Sequence, residues 1–217
     1  MAIHNSNLAL QCRQRRKHEL HQDVRPRRDR GCGINCIPRC RVGHRGNHGA
    51  LLGGGSTVNS GATITSSLTS GTSALLTDTS GETADTCKGS TVGVTTTNTT
   101  DSPVAGFIST LFWSSCTWTT ESLTNGNLAI TKNAGTNDGT VTGTGSRVTV
   151  MVLGFLHCVY GTGEGTHLGT LDGVSSGNAT LAINATIQLR EGKFCPESIK
   201  WVANYVVTSP TALNVGS

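Results

Sequence analysis

Between residues 180 and 190 every second side chain is apolar: Leu181, Ile183, Ala185, Ile187 and Leu189 fall in one set, with Thr180, Asn184, Thr186, Gln188 and Arg190 in the other. A period of two puts these sets on opposite faces of an extended strand, which predicts a half-buried antiparallel strand. Residues 199–208 repeat the pattern with Trp201, Ala203, Tyr205 and Val207 against Val202, Asn204, Val206 and Thr208. Their aromatic and β-branched side chains suit a pleated surface, and both faces are expected to be largely covered. Weaker strands are predicted near 62–68, 90–99, 106–113, 127–131, 147–156, 167–171 and 213–215, about eight to ten short strands in all. The longest apolar stretch, from Val150 to Leu156, is far short of the ~20 residues a bilayer demands and is read as a buried strand.

Turn chemistry separates these segments. Asn125-Gly126 and Asp138-Gly139 can supply positive φ for tight hairpins, and Pro103, Pro196 and Pro210 mark strand beginnings or ends. Glycine contributes 28 of the 217 residues and charged residues only 14%, so neither helix propensity nor ion pairs along a helix support a helical protein. A series of strands without a helical period predicts an all-β fold of two packed antiparallel sheets, a jelly-roll-like sandwich, with a closed barrel as the alternative.

Charge divides the chain. Eleven of the 17 basic residues but three of the 13 acidic ones lie before residue 51, leaving the larger part mildly acidic and without a basic surface for a nucleic-acid backbone. Residues 1–55 form a basic Arg-, His- and Cys-rich tail, expected to be disordered, and 56–217 a single β domain, joined by the GALLGGGS stretch. The basic cluster Arg13, Arg15, Arg16, Lys17, Arg25, Arg27, Arg28 and Arg30 has no interleaved aromatic to stack on bases, so a specific nucleic-acid partner is not expected. Within the tail Cys32, Cys36, Cys40, His44 and His48 repeat every four residues, and thiolate with imidazole is a zinc ligand set. Gly31, Gly33, Pro38, Gly43 and Gly46 oppose the helix that would align them, and no paired C-x2-C knuckle is present. They stand as weak zinc candidates beside a disordered tail, and a mis-assigned start to the chain is a third expectation. No metal or other cofactor is expected elsewhere.

The four cysteines after residue 50, Cys87, Cys116, Cys158 and Cys195, are widely spaced in a Thr-, Ser- and Gly-rich β chain. That suits disulfides formed in an oxidising compartment. Pairing Cys87 with Cys116 and Cys158 with Cys195 is expected, because each closes a loop of a few short strands, the length at which antiparallel neighbours return in a meander. Residues 1–50 contain no apolar run of signal-peptide length, although a secreted or cell-surface location is expected.

Catalytic patterns are sparse. Gly173-Val174-Ser175-Ser176-Gly177 fits G-x-S-x-G, but a strand follows where a nucleophile elbow needs a helix, so a turn is expected. His157, Glu164 and His167 lie close in sequence and are expected to be packing and loop residues. Asp85, Asp172 and Glu164 are the carboxylates to check for a glycosidase pair. Asn98, Asn178 and Asn184 open N-x-T sequons.

From about Gly61 onward the runs SLTSGTSALLTDTSGETADTC, SPVAGFISTLFWSSC, HCVYGTGEGTHLGTL and FCPESIKWVANYVVTSPTALNV resemble a family of uncharacterised exported Thr/Gly-rich β proteins of actinobacteria and relatives. More distantly, the order of short Thr/Gly-rich strands is similar to the biofilm-matrix family named protein activator of alkane oxidation. The resemblance implies an extracellular setting and carries over no active site. The expected function is therefore a non-enzymatic structural or adhesive protein of the cell surface or matrix, its partners being other matrix components or itself. The alternative is a carbohydrate- or small-ligand-binding β-sandwich, hydrolytic or not.

Overall fold

The computed structural model describes residues 50–216. The expectations for residues 1–49, the zinc candidates Cys32, Cys36, Cys40, His44 and His48 among them, lie outside the described residues. Those described form strands and turns without helix, and among them no helix is long and apolar enough to cross a membrane.

Four long strands organise the fold: β5 (Thr83–Asn98), β6 (Val104–Cys116), β13 (Thr180–Glu191) and β14 (Ser198–Ser209). Each changes neighbours along its length. At one end β3 (Thr63–Leu68) joins β14 to β5, while β8 (Asn127–Lys132), β9 (Gly139–Thr144) and β12 (Thr166–Asp172) connect β6 to β13. With β5–β6 and β13–β14 paired, these eight strands close into an antiparallel barrel. The closed barrel thus replaces the expected sandwich. Alternation buries one face in either architecture, so the period of two could not separate them. Register shifts at Gly93/Val94 in β5 and at Val207/Ser209 in β14 supply the extra bend and twist that closure requires.

At the other end β4 (Ala74–Thr77) takes the place of β3 between β5 and β14. There β11 (Leu156–Gly161), β10 (Arg147–Val152) and β7 (Thr119–Thr124) continue outward from β13. The result is a second ring built on the same four long strands, with ladder bonds at every neighbour except the seam between β6 and β7. The first barrel's mouth is covered by a small sheet of β1 (Ala50–Gly53), β2 (Ser56–Thr57) and β15 (Asn214–Gly216). Leu51 and Val215 in that sheet are wholly buried. The segment expected to be a flexible joint therefore contains a strand, and the β body reaches back to Ala50.

On β13 the residues expected to face inward are Leu181, Ile183, Ala185, Ile187 and Leu189; the first four are buried and Leu189 packs against them. On β14 Trp201, Ala203, Tyr205 and Val207 are buried, but Asn204 and Thr208 are exposed and Val202 and Val206 half-buried; only one face is covered. Pro103 precedes β6, Pro196 precedes β14 and Pro210 follows it. Gly126 does turn with positive φ, though it links β7 to β8, strands that do not pair. Asp138-Gly139 does not make the β8–β9 turn. Gly135 carries the positive φ there, and Gly139 is already in β9.

The run from Val150 to Leu156 is a hairpin, not one strand. Val152 pairs with Leu156 across a turn in which Leu153 and Gly154 both have positive φ. Gly169 is needed where β12 meets β13: its φ is 155°, and a Cβ there would overlap the Ala182 carbonyl oxygen.

Both interiors are filled. In the closed barrel Ile64, Val92, Val141, Leu181, Val207 and Leu213 leave about 40 Å³ between them. In the second ring Leu76, Trp113, Tyr160, Ile187 and Trp201 leave about 20 Å³. An aromatic layer stands on β6 and β14, with Trp113 and Trp201 centroids 5.3 Å apart and Trp201 edge-on to Tyr205 at 6.4 Å. The Tyr205 hydroxyl shares a 3.0 Å hydrogen bond with Ser90 Oγ.

The chain has two tyrosines. Burial pushes the Tyr160 hydroxyl up to about 12 and Tyr205 in the same direction, since it disfavours the phenolate. Both contributions are present below the ordinary value near ~10 and lost as pH rises from there through the folded values. Absorbance titration should therefore show both tyrosines ionising above pH ~10 together with alkaline unfolding. Ionisation at the ordinary value in a protein still folded would contradict this interior.

Candidate functional site

Among the described residues Asp85 is the one acidic side chain in the core, 1% exposed near the start of β5. Its Oδ1 accepts from the backbone N–H of Thr86 at 2.7 Å and of Trp118 at 2.9 Å, and its Oδ2 accepts from the Thr120 hydroxyl. It ties the corner between β6 and β7 to β5 where the ring has no ladder. Cys87 and Cys116 lie beside it, their sulfur atoms and the carboxylate within 4.8 Å of one another. Those sulfurs form a disulfide, so they have neither a proton to donate nor a thiolate to offer a metal, and the group is a strut. Asp85→Asn replaces one acceptor oxygen with a donor facing donors. A loss of about 2–3 kcal/mol of stability is expected, read as a lower denaturant midpoint at constant slope, and an unchanged midpoint would contradict the strut.

The two disulfides are Cys87–Cys116 and Cys158–Cys195, the expected pairing. The reason is register: Cys87 and Cys116 are directly opposed on β5 and β6. Cys195, in the β13–β14 loop, reaches Cys158 on β11, which runs beside the end of β13.

The remaining titratable candidates are spread out. His157 is exposed on β11, His167 is exposed on β12 with Thr142 as its ladder partner, and Glu164 lies in the exposed β11–β12 loop. Asp172 is exposed and accepts from the Thr180 hydroxyl at 3.2 Å. Asp85, Asp172 and Glu164 thus sit on separate elements. The Gly173–Gly177 motif is a loop, with positive φ at Gly177 and a strand after it. Asn178 and Asn184 are exposed, whereas the Asn98 amide donates to the Pro103 carbonyl at 3.1 Å.

Two surface clefts lie on the second ring. The larger, about 580 Å³, runs along the β6–β7 seam past Phe112, Trp118 and Glu121. The Ser122 hydroxyl bridges the seam, donating to the Leu111 carbonyl at 2.6 Å and accepting from Trp113 Nε1 at 3.3 Å. The smaller, about 250 Å³, opens at the ring's outer rim. Its walls are Trp118, Val152, Leu156 and Pro196, and Asp78 and Glu82 stand in its lining.

Sequence reasoning missed the exposed apolar side chains. Phe107, Phe112 and Leu123 stand out on β6 and β7, and Leu153, Phe155 and Phe194 on rim loops. The one local signal was Gly154 inside the apolar run, which marks a turn. No family model matches the chain, and neither a curated protein nor a solved structure matches it significantly.

Proposed function

We propose that this chain is a non-enzymatic structural or adhesive protein of the cell surface or extracellular matrix, acting through its outer faces. The observation that carries this is the filling of both ring interiors. Spaces of 40 and 20 Å³ are far below the ~300–1,000 Å³ of ligand cavities, so recognition is left to the wall and the loops. Phe107, Phe112 and Leu123, each about half exposed on β6 and β7, put large apolar side chains on the outer wall, where they are free to meet a partner. Two disulfides favour an oxidising setting, in keeping with the resemblance to exported β proteins.

The test is retention of the purified full chain on whole cells and on extracted matrix polymer. Phe107→Ser with Phe112→Ser should reduce retention severalfold without lowering the melting temperature. Undiminished retention, or turnover of ester, amide or glycoside substrates by the purified chain, would defeat the proposal.

One observation favours a second reading, binding of a carbohydrate or other small ligand. The β6–β7 cleft has ligand-like volume, with Trp118 and Phe112 to stack on a sugar face and Glu121 to accept hydrogen bonds. Tryptophan fluorescence titration with a panel of oligosaccharides tests it, and an unchanged signal across the panel rejects it.

A further inference from the structure

Four loops meet at the outer rim of the second ring: β4–β5, β6–β7, β10–β11 and β13–β14. Two of them hold large apolar side chains out in solvent. Phe194 is 95% exposed, Phe155 73% and Leu153 63%. Phe194 and Leu153 both adopt left-handed backbone, with φ of 61° and 55°, a conformation uncommon for large side chains. The Cys158–Cys195 bridge anchors the residue next to Phe194 to β11, so the phenyl ring stands on a stapled base.

Beside these projections lies the 250 Å³ rim cleft. Its apolar wall includes Val152 and Leu156, which flank the β10–β11 turn, and Pro196, two residues after Phe194. An apolar knob and an apolar hole are neighbours on one rim. Charge follows the same arrangement. Lys193 precedes the knob and is exposed, while Glu82 lines the hole and is exposed. Among the described residues neither has a salt-bridge partner, the one ion pair being Arg147–Glu191. Asp78, the other acid of the hole, already accepts from Ser80 N, Ser80 Oγ and Glu82 N at 2.6–2.9 Å, which leaves Glu82 as the available anion.

A patch carrying a knob with a cation and a hole with an anion is self-complementary, the requirement for a twofold interface. We propose that the rim is a self-association surface: two copies of this chain meet head to head, Phe194 of each entering the rim cleft of the other and Lys193 of each facing the other's Glu82. This deepens the structural or adhesive function proposed above by naming a second copy as the partner. A monomeric protein that still adhered to cells through its wall would end this inference and leave that function standing.

Sedimentation velocity of the full chain over a wide concentration range tests it. A monomer–dimer equilibrium in the micromolar range is expected, because the contact is small. Phe194→Ser should weaken it roughly ten- to a hundredfold, as for an aromatic seated in a pocket. Lys193→Glu and Glu82→Lys should each weaken it by repulsion, and the double variant Lys193→Glu/Glu82→Lys should regain most of the association. Melting temperatures near wild type would show that the variants fold. A wild-type chain that stays monomeric, a dimer indifferent to Phe194→Ser, or charge reversals that do not rescue each other would overturn the proposal. So would a monomer that instead co-sediments with phosphatidylcholine vesicles through Phe194, the mark of a lipid surface.

Discussion

Reducing both disulfides is expected to lower the stability of the fold by about 7 kcal/mol, the largest single effect available in this molecule. The bridges span 29 and 37 residues, and loops of that size restrict the unfolded chain by about 3.5–4 kcal/mol each in the chain-entropy account. Typical domains hold about 5–15 kcal/mol in total, so the reduced protein should stand close to its unfolding threshold. The loss should also be local. Both bridges act in the second ring, the one with a seam lacking ladder bonds, whereas the first barrel is closed by strand pairing throughout. Thermal denaturation with and without reductant measures the total. Hydrogen exchange under reducing, still-folded conditions should show earlier loss of protection in β4, β7, β10 and β11 than in β3, β8, β9 and β12. Equal melting temperatures in the two redox states, or uniform exchange, would refute the account.

Trp201→Ala is expected to cost about 3–5 kcal/mol, the range for truncating a large buried aromatic. The indole is 8% exposed, packs on Trp113 and Tyr205, and borders the space inside the second ring. Removing it would open a void between strands that only side chains hold apart. Trp201→Phe should behave differently. Nε1 of Trp201 is buried with no hydrogen-bond partner among the described residues, and an unpaired buried donor carries about 1–3 kcal/mol of desolvation. Phenylalanine keeps most of the ring contact and removes that donor, so a net change within about 1 kcal/mol is expected. Equilibrium unfolding of the two variants side by side decides. If Phe cost as much as Ala, the indole N–H would have to be contributing a favourable bond.

How much of the molecule could be read beforehand depended on whether the cause was local. The inward set on β13 was legible because alternation is a property of consecutive residues. The disulfide pairing followed from chain length between antiparallel neighbours. By contrast β1, β2, β4, β7, β9 and β11 were missed; Ala74–Thr77 is short, and the Thr-rich Thr119–Thr124 and the Thr- and Gly-rich Gly139–Thr144 show little hydrophobic contrast. The stretch from Val150 to Leu156 looked like core because it is apolar. Its tip lies in solvent because the chain must reverse there to place β11 against β13.

The candidate sites divide in the same way. No spacing in the sequence announces that Asp85 will meet Trp118 and Thr120, since those contacts cross 33 and 35 residues. Nor does any local pattern bring Lys193, Phe194 and Pro196 to the same rim as Asp78 and Glu82.

What the sequence determined by itself was the all-β class, the inward face of β13 and the cysteine pairs, all consequences of a two-residue period and of loop length. The tertiary structure alone decided that the sheet closes into a barrel and continues as a second ring. Closure depends on β5 and β14 changing partners from β3 to β4 along their length, and a strand's face pattern is the same whichever neighbour its edge hydrogen bonds reach.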